Sequence, residues 1–289
     1  MTVDLAALTD ADAHDVVDSI LAASDEELLA ALAGDDVRGE AFRSLLSRLH
    51  EYAVPERLAG VRGDVRIELV RRDRVLEAET IRIADGAVVL LEQPQGAPDV
   101  VLRTSLLRFV WIVSGERNAG LEYLRVALDI EGDADLALAV GGIFVVPGSH
   151  GVAVDPRDLD PVQVAAALGE VKGDHLKQVM RSGFRDVVLS EIFRRLPDFV
   201  NPRKAAKVRL TVGFRLTGNP SGEVERYVVT IDHGTATVTQ GDGDAGERDA
   251  TVTCEGHDFL KLATGHLNPV FGVLRGHLTV RAIRARRCS

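Results

Sequence analysis

Two hydrophobic periods alternate along this chain, and the alternation happens twice. Apolar residues recur first at helical spacing, which predicts helices over 13–21, 25–33 and 37–52, and again near 161–168, 174–180 and 184–196. Ser24 with Glu27 makes a capping box at one of these starts. Pro55 and Pro202 are placed to stop the third helix of each set and turn the chain. The period then falls to two. Val65, Ile67 and Leu69 alternate with polar residues, as do Val208, Leu210 and Val212, and further strands are predicted over 75–83 and 87–91 and over 225–231 and 235–239. Asp85-Gly86 and His233-Gly234 sit between these strands as two-residue hairpin turns. A fourth strand, 100–103 or 250–253, leads into a helix on which Leu106, Phe109, Val110 and Val113 share a face, matched by Phe259, Leu262 and Ala263. Gly115 and Gly265 end that helix, Asn118 and Asn268 open a short one, and a last strand covers 126–130 and 276–280. A meander-like sheet with helices before it and near its end is an α+β domain.

The two series are copies. Residues 17–55 match 164–202 without a gap at an offset of 147, including Val17/Val164, Arg38/Arg185, Arg48/Arg195, Leu49/Leu196 and Pro55/Pro202. Residues 99–130 match 249–280 at an offset of 150, including Asp99/Asp249, Phe109/Phe259, Gly115/Gly265, Asn118/Asn268 and Leu124/Leu274. The offset drifts only in turn-rich stretches, where insertions are tolerated. A period near 150 is too long for a solenoid, so each copy owns a core, and the chain divides into domains 1–150 and 151–289. A short junction is expected at 147–155.

Composition narrows the function. A hydrophobic share of 46% suffices for two cores. The formal charge of −10 resides in residues 1–40, which hold eleven acids and one Arg; the remainder is neutral, which argues against nucleic acid as a partner. The basic cluster Arg281, Arg284, Arg286 and Arg287 reads as a solvated tail or as a partner for the acidic N-terminal helices. The acidic N-terminus lacks the basic region of a secretory signal, and the longest apolar run, 136–146, is too short to span a bilayer. Cys254 and Cys288 make neither a disulfide framework nor a zinc site. A cytoplasmic protein is expected, and the excess of Arg over Lys points to a high-GC bacterial genome.

Copy two carries a family resemblance. Its Asp-led strand from Asp249, the helix with Phe259, the turn Gly265-His-Leu-Asn-Pro269 and the strand Arg275-Gly-His-Leu-Thr-Val280 resemble the sterol carrier protein type 2 family. Ile192-Phe-Arg-Arg-Leu-Pro197 and Phe199-Val-Asn-Pro202 resemble the entry helix of its bacterial members. Copy one resembles it more weakly, departing at Ala119 and Val126, but keeps Gly132-Asp133 and a closing helix over 134–144. Copy two has Ala282 where that Gly would stand, and no closing helix is expected. The resemblance implies two tandem sterol-carrier-like domains, each a mainly antiparallel five-stranded sheet covered by helices around an apolar tunnel for a sterol, fatty acyl chain or similar lipid. It places Phe259, Leu262, Phe271 and Leu274 at the ligand in copy two, with Phe109, Leu121 and Leu124 as counterparts. An apolar stripe is more often the mark of a closed core than of a cavity, so the residues alone do not establish the tunnel.

Other motifs dissolve on placement. Gly241-Asp-Gly-Asp-Ala-Gly246 reads G-x-G-x-x-G but precedes a strand, and its acids would repel pyrophosphate. Pro147-Gly-Ser-His-Gly151 has the wrong spacing for a nucleophile elbow. His233, His257, His266 and His277 show no metal-binding spacing, so neither metal nor cofactor is expected. Trp111, the single Trp, is either an isolated exposed aromatic or an anchor between the copies or to another protein. The reading is a non-catalytic carrier of a hydrophobic small molecule, with a protein partner or homodimer left open. Its rivals are an enzyme that isomerises or cyclises a hydrophobic substrate in the cavity, and a scaffold whose cavities have closed.

Overall fold

The computed structural model describes residues 13–72, 74–145, 159–242 and 248–282. They belong to two compact units, Met1–Asp160 and Pro161–Ser289. The expected junction, most of the Gly241–Gly246 loop and three arginines of the basic tail lie outside the described residues.

The first unit begins with helices α1 (Ala13–Ala22), α2 (Asp25–Ala31) and α3 (Asp35–Ser47). The capping box forms: the Glu27 N–H donates to Ser24 Oγ, and the Ser24 N–H donates to the Glu27 carboxylate at 3.0 Å. The expected single helix over 37–52 breaks after Ser47 into a 3-10 turn, Leu49–Tyr52. Pro55 then opens a short helix, α4 (Pro55–Leu58), instead of merely stopping one, because a missing N–H costs nothing in a first helical turn. Strands β1 (Gly63–Arg71), β2 (Arg74–Ala84), β3 (Ala87–Leu90) and β4 (Val100–Thr104) follow, then α5 (Leu106–Val113), α6 (Ala119–Leu124), β5 (Leu128–Gly132) and α7 (Ala134–Ile143). The second unit repeats the order: α8 (Pro161–Gly169), α9 (Gly173–Val179), α10 (Arg185–Arg195), a 3-10 turn, α11 (Pro202–Ala205), β6 (Arg209–Thr217), β7 (Glu225–Asp232), β8 (Thr235–Gln240), β9 (Ala250–Glu255), α12 (Gly256–Ala263), α13 (Pro269–Leu274) and β10 (Leu278–Ala282).

Each sheet has five strands, in the orders β3-β2-β1-β4-β5 and β10-β9-β6-β7-β8. The sheet is mixed and not a plain meander. After two hairpins the chain crosses over, and β4 lies parallel to β1, as β9 does to β6. Both hairpin turns take left-handed backbone at both central residues, Asp85 (φ 52°) with Gly86 (φ 77°) and His233 (φ 48°) with Gly234 (φ 92°), as two-residue turns matched to strand twist require. The duplicated Asp99 and Asp249 explain the crossover. Asp99 accepts the Asp64 N–H at 2.8 Å and returns its own N–H to the Asp64 carbonyl at 2.9 Å. Asp249 does the same with Thr211, at 2.7 Å and 2.9 Å. The last strand of each unit starts two residues later than its pattern suggests, because residues 125–127 and 275–277 form the turn after α6 and α13.

A second duplicated contact joins helices to sheet. Arg38 on α3 donates from Nε to Glu77 on β2 at 2.9 Å. Its counterpart Arg185, only 4% exposed, donates from Nε and Nη2 to Glu225 on β7 at 2.6 and 2.8 Å, and to the carbonyls of Met180 and Thr217. Burial alone would raise the Glu225 carboxyl, but the bonds from Arg185 and Asn219 hold it below its ordinary range.

Arg185→Met leaves the half-buried Glu225 carboxylate without its cation, with Asn219 as the remaining donor, and is expected to destabilise the second unit by about 3 kcal/mol in denaturant unfolding. Because the folded Glu225 titrates below the unfolded value of about 4.3, its contribution is present above that pH and lost as pH falls through the lower folded value. Acid destabilisation should therefore be shallower in the variant than in the parent; an equally steep loss would contradict the assignment. Val126, exposed and left-handed at φ 62°, stands where copy two has Gly276 at φ 78°. Val126→Gly should raise stability by about 1 kcal/mol, since a branched side chain is strained there; an unchanged or lower melting temperature would count against it.

Candidate functional site

The core of the first unit is closed. Phe42 and Leu46 of α3 meet Val65, Leu69, Ile81, Ile83 and Val100 of the sheet, and α7 contributes Leu136, Val140 and Ile143. Phe109 packs edge-on against Phe42 at 5.3 Å between centroids. The helix expected to cover a cavity mouth is thus part of the core itself. Gly132 permits it: at φ 104° the chain turns so that the Asp133 N–H bonds the Asp99 carbonyl at 2.9 Å, and Asp133 caps α7. A Cβ at Gly132 would collide with that same carbonyl, and copy two has Ala282 at the matching position. Whether copy two carries a closing helix is a question that falls on 283–289, outside the described residues.

An apolar cavity of about 80 Å³ lies between α1, α2, α3 and α5, lined by Val16, Ile20, Leu28, Leu32, Phe42 and Phe109 among others, with Arg38 and Arg48 at its margin. Cavities near 150 Å³ hold a benzene ring, so this one is too small for a sterol or a long acyl chain as it stands. Of the residues placed at the ligand in copy one, Phe109 lines this cavity; Leu121 and Leu124 are buried on α6 but do not.

In copy two the expected residues separate. Phe259 is buried in an aromatic cluster, stacked at 4.9 Å on Phe193, which in turn stacks on Tyr227 at 3.8 Å, with Phe214 edge-on to both Phe193 and Phe259. Leu262 is half-buried, and the helix buries Leu260 beside Phe259 while Ala263 is exposed. Phe271 and Leu274 are exposed at 57% and 75%, unlike their buried counterparts on α6.

The contrast extends to the sheet. Val65, Ile67 and Val100 are buried in copy one, whereas Val212, Phe214 and Ala250 at the equivalent register positions are half-buried, and Val280 is 47% exposed. Among the described residues, no element of the second unit stands where α7 stands in the first.

Trp111 is half-buried. Its indole N–H donates to Asp25 at the start of α2 at 3.2 Å, and the Arg117 guanidinium lies 5.0 Å from its ring, so it ties α5 to the N-terminal helices of its own unit.

The structure also assembles a polar cluster that sequence spacing did not show. Asp258, almost fully buried at the first turn of α12, has Oδ2 3.1 Å from His277 Nδ1 and Oδ1 3.4 Å from His257 Nε2. That Oδ1 makes no hydrogen bond. His257 is held below its ordinary value by burial, against the pull of Asp258 and Glu255. Burial pushes the neighbouring Cys254 thiol up to about 12, which removes it as a nucleophile at neutral pH. Among the described residues no three His, Cys, Asp or Glu side chains are grouped to hold a metal ion. A comparison of the copies contains a signal for this cluster: at an offset of 150, His257, Asp258 and His277 face Leu107, Arg108 and Ala127, polar or acidic residues gained in one copy alone.

Comparison with known proteins bears on the whole arrangement. The chain matches no curated protein sequence. Among solved structures it is similar to sterol carrier protein 2 of Yarrowia lipolytica in its apo form, at 23% identity over 33% of this chain and 87% of that one, with a TM-score of 0.28. It is similar also to sterol carrier protein domain 2 of Helicoverpa armigera, at 23% identity over 33% of this chain and 74% of that one, TM-score 0.29. Sterol carrier protein 2 like 2 of Aedes aegypti gives 23% identity over 35% and 90%, TM-score 0.28. The model of the SCP-2 sterol transfer family matches twice, over residues 42–145 and 189–281, once in each unit. With the five strands of each sheet and the helices that follow the fourth strand falling in those matches, the chain belongs to the SCP-2 sterol transfer family as a tandem pair of its domains.

Proposed function

We propose that this protein binds and carries a hydrophobic ligand (a sterol, fatty acyl chain or similar lipid) without converting it, and that the second unit holds the ligand. Family membership supports lipid binding in general. The observation that carries the assignment to copy two is the apolar sheet face that α7 seals in copy one and that Val212, Phe214, Ala250 and Val280 leave partly open. Phe271 and Leu274 offer further exposed apolar area on α13, and Phe259 supplies a rigid aromatic floor beneath. A soluble chain seldom leaves such surface to water, and a bound acyl chain would cover it. Each methylene withdrawn from water contributes about 0.8 kcal/mol, so affinity needs no directed chemistry. In this reading copy one is a structural partner, its own cavity being too small for such a guest.

The test is native mass spectrometry of the purified chain for a co-purified lipid, followed by displacement of a fluorescent fatty acid by straight-chain acids of increasing length. Each added methylene should tighten binding roughly fourfold until the face is filled. Val280→Glu, at an exposed position, should weaken uptake at least tenfold with the melting temperature unchanged, and Phe271→Ala should weaken it less. A clean apo mass with no displacement would overturn the proposal, as would turnover of the bound lipid to a product of different structure.

A further inference from the structure

The two copies differ most on the opposite, polar face of the sheet. In copy one that face is closed by ion pairs. Glu68 accepts from Arg66 at 2.7 Å and from Arg103 at 2.8 Å, and Arg103 also reaches Asp129 at 3.2 Å and Glu131 at 2.7 Å. The register pairs Glu68 with Arg103 and Arg103 with Asp129. In copy two the same register positions are Arg215, Thr253 and Thr279, and Glu131 is matched by Arg281. With Arg66 matched by Gly213, three acids and two Arg have become two Arg, two Thr and a Gly.

Over this cleared face lies a hollow of about 480 Å³, within the usual range of small-molecule sites. Thr217, Thr253 and Thr279 lie on its strand side, and the first turn of α12 brings Glu255, His257 and Asp258 to it. Lys177 and Arg181 face it from α9 and the turn that follows. In copy one these two positions are Ala30 and Gly34. The Arg181 guanidinium is exposed and makes no hydrogen bond or ion pair among the described residues. Lys177 has only the highly exposed Asp174, 3.7 Å away. Of the acids, Glu255 lies 3.1 Å from His257 Nδ1 and Asp258 Oδ2 lies 3.1 Å from His277 Nδ1, while Asp258 Oδ1 is buried without a hydrogen bond.

We propose that this hollow is a phosphate-binding site peculiar to copy two, taking either a free phosphate ester or the phosphate head group of a lipid. Two cations without strong counter-ions, with Arg215 next to Thr253 in the strand register, set the sign of the ligand. The Arg fork and the hydroxyl groups of Thr253 and Thr279 together supply more donors than a carboxylate has oxygens, which suits the three terminal oxygens of a phosphate. The unpaired N–H groups at the start of α12, which has no side-chain cap, add to the same field. The site stands independently of whether the apolar face on the other side of the sheet holds a lipid.

The full chain in phosphate-free, low-salt buffer is titrated with inorganic phosphate and with dodecyl phosphate, followed by calorimetry and by 31P line width. The double variant Lys177→Ala/Arg181→Ala, both at exposed positions, is compared alongside. Saturable binding is expected for the parent, at least tenfold weaker in the variant and weakened by salt. Dodecyl phosphate binding more tightly than inorganic phosphate and displaced by it assigns a lipid head group; equal binding of the two assigns a free phosphate ester. Absence of saturable binding in the parent overturns the proposal, and so does a variant that binds as the parent does. Dodecanol, measured in the same fatty-acid displacement assay, separates this outcome from the carrier reading: its binding in parent and variant alike leaves that reading intact even where the phosphate site fails.

Discussion

Each unit depends on a guanidinium taken out of water. Arg38 and Arg185 are the residues through which the helical layer grips the second strand of the sheet, and they recur at the same place in both copies. Such a contact is a constraint more than a source of stability. Its desolvation offsets much of its attraction, but it admits one relative placement of helix and strand, and any other leaves a charge stranded. Arg185 enforces this more completely than Arg38, since it also donates to the carbonyls of Met180 and Thr217. The apolar packing then fills a geometry already decided by polar groups. The Asp99 and Asp249 clasps do the same at the other end of the crossover, where the parallel strand must enter in register.

Within that shared frame the copies have drifted in complementary directions. Copy one is sealed on both faces of its sheet, by α7 on the apolar side and by the Glu68–Arg103 network on the polar side. In copy two, among the described residues, Val212, Phe214 and Ala250 of the apolar face are half-buried, and Glu68 and Arg103 are replaced by Arg215 and Thr253. One glycine marks the branching point on the apolar side, because the backbone at Gly132 reaches a conformation that a side chain there would forbid.

The fold was legible because its signals are local. The Asp85-Gly86 and His233-Gly234 turns, the Ser24–Glu27 box and the Asn118 and Asn268 caps each declare themselves within four residues, and the duplication reads each one twice. The parallel β1–β4 pair was not legible from periodicity, since alternation says nothing about which neighbour a strand chooses. The candidate site was half legible. The stripe through Phe109 and Phe259 located the helix, but whether Leu274 is buried like Leu124 depends on what lies over it, which is not written in its own vicinity. The Asp258 cluster was hidden because His277 lies 19 residues on, and only the return of β10 beside β9 brings it back.

The exchange of charge on the polar sheet face has a kinetic meaning as well. Two copies with the same strand order and the same Asp clasp run the hazard of tandem proteins, in which a strand of one copy inserts into the sheet of the other while both are incomplete. The central parallel pair is the vulnerable step, because its strands are far apart in sequence and close late. Native pairing sets Glu68 opposite Arg103 and Arg215 opposite Thr253. A crossed pairing of β6 with β4 would set Arg215 opposite Arg103, two like charges side by side, and β1 with β9 would leave Glu68 without Arg103. The exchange of charge between the copies thus also labels each strand with the copy to which it belongs, and disfavours a swapped sheet.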